Sequence, residues 1–574
     1  MKERETSVRS RRVKRWSAAL AVALAGTAVA GTGAQASQKP DAAAPKMGGE
    51  ITVLIDGSIA GHCFPQALPG GPLGASRSIY ESLFERTKSG KFVGHLAESA
   101  TTPDNKVWTI KLRPGIKYSN GEAFNAASVK QNIDIGRGLN IPLAYASTGI
   151  GINSNILSVD VVDDLTVKVT LERPDNDFLG LMYRAGRYVM RAPAQIANTA
   201  TCTTNPIGTG PFMLKSFTSE EQVVVKNPNY WRKDGKGRQL PYLDQITFVS
   251  VKEASQRAAA VRRGTADVGF FTQGDATFTN DLARRKSLVT GYKAKKSQWN
   301  FWMPNVNKTG SPFKFQNCRL AAAYSIDWKN YNKVRLRNTG EFSGSIVSKE
   351  NPMFTLAGAP KYDLAKAKEY LAKCNTDLGA AAPMKVTLYA DTSTQSQNNV
   401  KFIQRSMEAA GIQFNNPFIA ESSVLVPKIY KRGGNDFDFA QGTAAEGLTP
   451  AYVIPFLVSR AFPANSTNPI AKTPLGIGYN TITALGNHSD TNVDNLIYAA
   501  QAEVDPAAAK AKWQAATQYI QEQGIAIPAV NGGNYVFVNN KSKLSGIGTL
   551  RMPSGDRSET VETKGLEFTG IWKR

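Results

Sequence analysis

The feature that most constrains the fold is a strand-helix-strand pattern that occurs twice in a chain of 574 residues. Short apolar runs predict the strands, and an amphipathic spacing of apolar residues predicts each helix. The first group comprises residues 243–251, 254–263 and 266–271, and the second comprises residues 384–389, 394–410 and 412–414. Such units build sheets with parallel strands covered by helices. Because one hydrophobic core stops growing at roughly 250–300 residues, we predict an α/β protein with two lobes.

The N-terminal residues 1–36 predict a cleaved signal peptide. Basic residues from Lys2 to Arg15 precede an apolar stretch, and Ala34-Gln35-Ala36 fits the A-x-A cleavage pattern. Residues 37–46 have the composition of a flexible leader. No later segment is a long uncharged apolar run. We therefore expect an exported protein, in the periplasm or at the outer face of the cell envelope, with the choice between Sec and twin-arginine export left open. A lipid anchor is not predicted, because no lipobox cysteine lies near Ala36.

The positive charge of the chain does not by itself indicate a nucleic-acid partner. The formal net charge is +23, and it falls to +18 without residues 1–36, which carry seven Lys or Arg and two Glu. The remaining basic residues are spread along the chain and accompany no zinc-finger or RNA-binding signature. This distribution favours solubility and weak attraction to an anionic envelope surface. We expect no nucleic acid among the partners.

The four cysteines predict structural disulfides. Cys63, Cys202, Cys318 and Cys374 occur in a chain that we expect to be exported, where thiols tend to pair. Three pairings are possible. None of the four has the close spacing of a zinc or redox motif, and few histidines could supplement them. We therefore expect neither a metal site nor a cofactor.

The motifs of several enzyme classes are absent from the sequence. There is no G-x-S-x-G nucleophile elbow, no phosphate-binding loop and no H-E-x-x-H zinc motif. His62, His95 and His488 stand apart from one another, as surface or loop histidines do. We predict that the protein is not an enzyme, and we keep a secreted hydrolase as the alternative from a different class.

Ordered sequence blocks carry a resemblance to a known family. The most specific are Pro206-Ile-Gly-Thr-Gly-Pro-Phe212 and the Asn227-Pro-Asn-Tyr-Trp231 that follows it. Further blocks lie at residues 78–85, 96–99, 108–129, 240–244, 259–267, 318–327 and 362–371. In this order they resemble family 5 of the extracytoplasmic solute-binding proteins of ABC importers, which includes oligopeptide-, dipeptide- and nickel-binding proteins. The block at 78–85 is similar to the opening helix of the family, and the local pattern also predicts a helix at 76–84.

The resemblance implies a particular architecture. We expect a two-lobed, type II periplasmic-binding-protein-like fold, with mixed sheets flanked by helices and a ligand cleft between the lobes. Lobe I comprises residues 47–87, 205–292 and 530–574, an extra subdomain inserted in lobe I comprises residues 88–204, and lobe II comprises residues 293–529. The pairs Cys63–Cys202 and Cys318–Cys374 are then favoured, because each pair lies within one lobe.

The implied function is that of the substrate-binding component of an ABC importer. We expect a monomer that captures an extracytoplasmic solute by closure of the lobes and delivers it to the membrane permease. A peptide is the favoured ligand. A saccharide, a metal complex and a signalling peptide are the alternatives within the binding class.

The resemblance also suggests ligand-binding residues. Peptide-binding relatives have a Gly-Trp-x-x-Asp stretch that supplies backbone contacts and an aspartate for the amino terminus of the ligand. On this pattern Gly442 and Ala444 supply backbone contacts, Thr443 replaces the tryptophan, and Glu446 replaces the aspartate. The remaining candidates are the aromatic residues near the expected crossing, Trp299 and Trp302, and the loop after the first strand, Gly57 and Ser58.

Overall fold

The structure of the chain is a computed structural model. It describes residues 44–574 except for 60, 64–69, 138–154, 184–185, 199, 295–297, 380–382, 393, 421–423, 426–427, 430–435, 446–466, 468–489, 559 and 563–564. The predicted signal peptide and most of the predicted leader therefore lie outside the described residues. No helix in the described ranges is both long enough and apolar enough to span a membrane.

The secondary structure of the described residues alternates between strands and helices. The strands are β1 (Glu50–Ile55), β2 (Phe84–Arg86), β3 (Phe92–Gly94), β4 (Ala97–Thr101), β5 (Val107–Leu112), β6 (Ile156–Asp163), β7 (Thr166–Leu171), β8 (Phe212–Phe217), β9 (Glu221–Lys226), β10 (Gln245–Ser250), β11 (Val268–Phe271), β12 (Val289–Lys293), β13 (Gln298–Pro304), β14 (Lys385–Val386), β15 (Tyr389–Asp391), β16 (Gln413–Phe414), β17 (Phe418–Ala420), β18 (Phe439–Ala445), β19 (Ile527–Pro528), β20 (Tyr535–Asn539), β21 (Leu544–Ser545), β22 (Val561–Glu562), β23 (Gly565–Leu566) and β24 (Trp572–Lys573). The α-helices are α1 (Gly70–Arg77), α2 (Ala126–Gly136), α3 (Phe178–Tyr183), α4 (Pro193–Ala197), α5 (Ala254–Arg263), α6 (Ala276–Arg284), α7 (Gln316–Ser325), α8 (Trp328–Arg335), α9 (Leu364–Leu378), α10 (Thr394–Glu408), α11 (Thr491–Ala502) and α12 (Pro506–Glu522).

A seven-stranded mixed sheet gathers strands from distant parts of the chain. Its order is β12-β20-β11-β1-β10-β9-β8. The central strand β1 is parallel to both β10 and β11, whereas the outer pairs are antiparallel. The unit β10-α5-β11 is the first predicted strand-helix-strand group, and α5 ends at Gly264, whose φ of 84° suits a residue without a Cβ. Only the centre of the sheet is therefore parallel.

Two further sheets have cores of their own. The four-stranded antiparallel sheet β4-β5-β7-β6 packs with α2 around buried residues such as Ile110 and Val167. The three-stranded sheet β18-β13-β19 lies between two buried clusters that also draw on α7, α10 and α12. The second predicted strand-helix-strand group is present, but its first strand is split into β14 and β15, which pair in parallel with β16 and β17.

Two chain crossings join the seven-stranded sheet to the three-stranded sheet. One runs from β12 to β13, and the other returns from β19 to β20. The crossings are bonded to each other, because the backbone N–H of Ala294 donates to the carbonyl of Asn534 at 2.8 Å and that of Asn300 donates to Oδ1 of Asn531 at 2.9 Å. The predicted domain boundaries place lobe I and lobe II on either side of these crossings, and their exact positions stay a prediction.

The predicted helix at residues 76–84 is wrong. Helix α1 ends at Arg77, and β2 already begins at Phe84. Residues 78–84 are all buried, so this segment lacks the polar face of a surface helix. The segment instead contacts the Pro206–Phe212 block, where the backbone N–H of Gly210 donates to the carbonyl of Ile79 at 2.8 Å. A side chain at Gly208 or Gly210 would collide with that carbonyl, which explains the two glycines of the block.

Glu81, in the same segment, is a buried carboxylate with four side-chain partners. It is 3 % exposed. Its oxygens contact Nε2 of His95 at 2.8 Å and accept from Thr209 at 3.0 Å, Tyr230 at 2.8 Å and Trp231 at 2.9 Å. Burial raises the pKa of Glu81, but the charge of His95 and these hydrogen bonds outweigh burial and hold the pKa below its ordinary value. The carboxylate thus ties the four-stranded sheet to the seven-stranded sheet.

The cysteines are joined in two pairs. Cys63 is bonded to Cys202 with a Cα–Cα distance of 4.8 Å, and Cys318 is bonded to Cys374 with a Cα–Cα distance of 4.7 Å. These are the pairs that the sequence analysis favours. The second pair links α7 to α9, and it closes a loop of 56 residues.

We predict that Glu81→Gln lowers the stability of the protein by about 3 kcal/mol, because a buried pair that loses one charged partner leaves the other uncompensated. The readout is the thermal unfolding midpoint by circular dichroism. Glu98→Gln, the same change at an exposed position on β4, is the matched control and should change stability by less than about 0.5 kcal/mol. Equal midpoints for the two variants would contradict a structural role of Glu81.

Candidate ligand cleft between the lobes

A cavity of about 300 Å³ lies between the seven-stranded and three-stranded sheets. One wall is formed by the segment that directly follows β11, residues Thr272, Gln273 and Gly274. The opposite wall comes from β13, α8, the end of β15, the first turns of α10 and β18; it comprises Asn300, Trp302, Trp328, Tyr331, Leu336, Asp391, Gln395, Ser396, Asn399 and Gln441. Ala529 and Val530, in the returning crossing, complete the lining. The cavity volume is at the lower end of the range for small-molecule sites.

The segment Thr272–Gly274, which forms one wall of the cavity, lies close to the opposite wall. Nδ2 of Asn300 donates to Oε1 of Gln273 at 3.3 Å and to the carbonyl of Val530 at 3.0 Å. A Cβ at Gly274 would collide with the side chain of Gln395 from α10. A larger residue at 274 would require the end of the Gln395 side chain to move. Movement of the lobes would change these contacts directly.

The lining is rich in amides and in aromatic rings. Five amide side chains, those of Gln273, Asn300, Gln395, Asn399 and Gln441, face the cavity together with the hydroxyls of Thr272 and Ser396. Trp302 is 3 % exposed and packs in a tilted arrangement on Phe439, with ring centres 4.9 Å apart, so it presents only a small part of its ring. Amides donate and accept hydrogen bonds at once, which suits ligands that carry both kinds of group.

Strand β18 contains the predicted peptide-binding segment. Its residues Gly442, Thr443 and Ala444 pair with Phe301, Asn300 and Trp299 of β13. Since the sheet order is β18-β13-β19, β18 is an edge strand of the described sheet. On the side of β18 that faces away from β13, the described residues form one β-bridge, between Leu388 and Phe439 near the start of β18. The later part of β18 thus presents backbone groups at the sheet edge, next to Gln441 in the cavity wall.

The structure brings together some of the predicted site residues. Trp302 lines the cavity, and the backbone of Gly442–Ala444 adjoins it through Gln441. Glu446 and the side chain of Trp299 lie outside the described part of the chain. Gly57 and Ser58 follow β1, as predicted, but they are not among the residues that line this cavity. The ligand-binding roles of all these residues stay predictions.

The sequence analysis missed the segment Thr272-Gln273-Gly274. Ligands in α/β proteins bind beyond the carboxyl ends of parallel strands, and β11 is such a strand. The same argument that selected the loop after β1 therefore also applied to the loop after β11. In the described ranges, no cluster of three or more His, Cys, Asp or Glu side chains could hold a metal ion.

A second contact, outside the cavity lining, joins the segment after β7 to the end of α11; the predicted boundaries assign these two segments to different lobes. Asn176, in the segment after β7, donates from Nδ2 to the carbonyls of Ala500 and Glu503, both at 3.0 Å, and from its backbone N–H to the carbonyl of Gln501 at 3.1 Å. These carbonyls belong to the end of α11, where a helix leaves its carbonyls without partners. We call residues 173–177 and 498–503 the clasp.

The clasp contains a buried carboxyl and a stacked guanidinium. Oδ2 of Asp175, which is 1 % exposed, accepts from Nε2 of Gln501 at 3.1 Å. The guanidinium of Arg173 lies 4.2 Å from the ring centre of Tyr498. Burial raises the pKa of Asp175 to about 6, although the backbone N–H of Asp177 and the charge of Arg173 act in the opposite direction. The folded state is thus more favourable when Asp175 is protonated.

The comparisons with known proteins identify the family. The model of bacterial extracellular solute-binding proteins, family 5, matches residues 91–463. This chain therefore belongs to that family, and it is a solute-binding protein of the class that serves ABC importers. The predicted family and two-lobed fold are confirmed.

Individual relatives show what the chain is similar to. The glutathione-binding protein GsiB of Escherichia coli K12 is 26 % identical over 470 residues, covering 79 % of this chain and 83 % of GsiB. The binding protein AgaA of A. tumefaciens R10, solved with agropinic acid, has a TM-score of 0.73 at 20 % identity, covering 92 % of this chain and 99 % of AgaA. The oligopeptide-binding protein AppA of Bacillus subtilis, solved with a nonapeptide, has a TM-score of 0.70 at 17 % identity, covering 92 % of this chain and all of AppA.

We predict that Asp175 makes the stability of the protein pH-dependent. A carboxyl with a raised pKa in the folded state stabilises it most below its ordinary pKa near 4, and this contribution is lost as the pH rises through about 6. Wild type should therefore lose on the order of 2 kcal/mol relative to Asp175→Asn between pH 4 and pH 7. Thermal unfolding midpoints of both proteins across this range provide the measurement.

Asn176→Ala is the control for this experiment, since it removes the clasp hydrogen bonds of a residue that does not titrate. It should lower the unfolding midpoint at every pH and leave the slope of wild type unchanged. A slope that is the same in wild type and Asp175→Asn would show that Asp175 does not titrate between pH 4 and pH 7.

Proposed function

We propose that this protein captures a peptide in the cleft between its lobes and delivers it to the membrane permease of an ABC importer. The observation that carries the peptide assignment is the position of β18, an edge strand of the described sheet that adjoins the cavity. An extended peptide can add to such an edge through main-chain hydrogen bonds, which tolerate varied side chains. The names of relatives, which include glutathione-binding and oligopeptide-binding proteins, support the same ligand class.

The ligand stabilises the closed form in this proposal. Residues Thr272–Gly274 on one wall and Gln395 on the other come close enough that a bound ligand would contact both lobes. A ligand that bridges the lobes shifts the population toward closure by its difference in affinity between the two states. The permease then recognises the closed shape. The protein acts as an exported monomer, with residues 1–36 as its signal peptide, and it needs neither a cofactor nor a catalytic step.

A saccharide is the second candidate ligand, and the composition of the cavity favours it. Polyhydroxylated ligands also contact amide side chains and the faces of aromatic rings, and residues of both kinds line the cavity. The edge of β18 distinguishes the two, because a saccharide has no extended backbone to pair with it. We therefore place the peptide first.

We predict that a panel of defined peptides, and not a panel of oligosaccharides, raises the thermal unfolding midpoint of the purified protein. Binding to the native state stabilises it by about 2.7 kcal/mol when the ligand is present at 100 times its Kd. Mass spectrometry of the same samples should recover every peptide intact. Stabilisation by oligosaccharides alone would overturn the peptide assignment, and cleaved peptides would favour a hydrolase.

We predict that Glu446 binds the amino terminus of the peptide. A charge-assisted hydrogen bond of this kind contributes about 1.5–3 kcal/mol, so Glu446→Gln should raise Kd by roughly tenfold or more. Isothermal titration calorimetry with a peptide from the panel and its N-acetylated form measures the effect. The N-acetylated peptide should bind both proteins about equally.

The matched control for this variant is Glu369→Gln, on the exposed side of α9, where Glu369 pairs with Lys373. It should bind the unmodified peptide like wild type. If Glu446→Gln also binds like wild type, the amine-binding role of Glu446 is wrong while capture of the peptide still stands.

A further inference from the structure

The described cavity wall carries a single full charge. Among the lining residues, Asp391 is acidic and none is Lys, Arg or His. This is notable in a chain with a formal net charge of +23, because a cavity wall drawn at random from such a surface would more often be basic. The guanidinium of Arg335, on the neighbouring helix α8, donates to Oδ1 of Asn399 at 3.2 Å, and Arg335 is not among the lining residues.

The position of Asp391 is fixed by the turn between β15 and α10. Asp391 is the last residue of β15, which pairs in parallel with β17. Its backbone N–H donates to Oγ of Ser396 at 3.1 Å, and Nε2 of Gln397 donates to the carbonyl of Thr392 at 3.0 Å. The side chains of Ser396 and Gln397, at the start of α10, thus bond to the backbone of the loop that precedes the helix. The carboxylate therefore belongs to an ordered part of the wall.

The start of α10 lies at the same wall, since Gln395, Ser396 and Asn399 also line the cavity. A helix start carries the equivalent of about half a positive charge. The full negative charge of Asp391 is larger than this partial charge. Asp391 is also the one charged residue within the described lining, whereas Arg335 contacts Asn399 without lining the cavity.

The groups around Asp391 suit a cation with an apolar stem. Trp328 and Tyr331 of α8 line the same cavity and pack edge to face, with ring centres 5.5 Å apart. Aromatic faces attract ammonium and guanidinium groups and also contact the methylene chains that carry them. The amide oxygen of Gln395 can accept a hydrogen bond from a donor of such a group. That of Asn399 already accepts from Arg335.

We propose that Asp391 makes this cavity a specificity subsite for a basic side chain, a lysine ammonium or an arginine guanidinium, of the bound peptide. The proposal rests on the proposed function, because it assigns the part of a peptide that occupies the cavity. It is separate from the role of Glu446, which concerns the amino terminus. The protein would then select peptides with a basic residue at one fixed position.

The test is a set of alanine-based pentapeptides in which Lys, Arg, norleucine or Glu replaces each alanine in turn. Isothermal titration calorimetry gives Kd for wild type and for Asp391→Asn, which keeps the size of the side chain and removes its charge. At one position, wild type should bind the Lys and Arg peptides at least tenfold more tightly than the norleucine peptide, and the Glu peptide most weakly. Asp391→Asn should reduce the ratio between Lys and norleucine to within about twofold, with Kd for norleucine unchanged.

Asp363→Asn is the matched control, because Asp363 caps α9 by accepting from the backbone N–H of Lys366 and does not line the cavity. It should keep the wild-type preference. N-acetylated versions of the peptides separate the side chain from the amino terminus: a preference that disappears on acetylation in wild type would assign the cation to the amino terminus and overturn the proposal.

The remaining outcomes are also decisive. A wild-type protein that binds the peptides without preference for Lys or Arg, or a preference that survives in Asp391→Asn, overturns the subsite and leaves peptide capture standing. Failure of every peptide to bind wild type overturns the proposed function itself. Should Asp391→Asn not fold, Gln395→Lys places a fixed ammonium beside the carboxylate, and it should abolish the preference for basic peptides in the same assay.

Discussion

The buried carboxylate of Glu81 is the constraint on which the arrangement of the sheets depends. An ionised carboxylate is costly to bury, and here its four partners come from separate stretches of the chain: His95 before β4, Thr209 before β8, and Tyr230 and Trp231 after β9. The four-stranded and seven-stranded sheets must dock correctly before these partners meet. Three of them belong to the blocks that most strongly resemble the family, Pro206–Phe212 and Asn227–Trp231. The resemblance is therefore carried by residues that build the scaffold, which explains why it identifies the family more sharply than the ligand.

Much of the fold follows from local sequence. Strand β10, helix α5 and strand β11 lie where the pattern predicts a strand, a helix and a strand, because each has its own hydrophobic period. The prediction failed at residues 76–84, where burial on every side removes the period that distinguishes a helix from a buried irregular segment. The mixed character of the seven-stranded sheet was also not visible locally, since β20 joins it from more than two hundred residues away along the chain.

The site was less predictable than the fold, because the cavity wall is assembled from segments that are distant in sequence. Trp302 could be proposed because it lies in a strand beside an expected crossing. The sequence around Asp391 does not indicate a binding site, because a single acid at the end of a short strand resembles an ordinary turn residue. Only the three-dimensional arrangement places it in one cavity lining with Trp328 and Gln395. The segment after β11 was within reach of sequence reasoning, since it obeys the rule that had selected the loop after β1.

The strength of the clasp affects how closely the population of the closed form depends on the presence of a ligand. Each neutral hydrogen bond that Asn176 donates contributes only about 0.5–1.5 kcal/mol. In the proposed function these bonds favour contact between the predicted lobes whether or not the cleft is occupied. A stronger clasp would raise the apparent affinity for every ligand, because less of the binding energy would be spent on closure. It would also increase the share of empty molecules in the closed shape, and these would compete with loaded ones for the permease. In the proposed function, the small contribution of Asn176 and Gln501 to this contact would therefore keep the closed shape a signal of a loaded cleft.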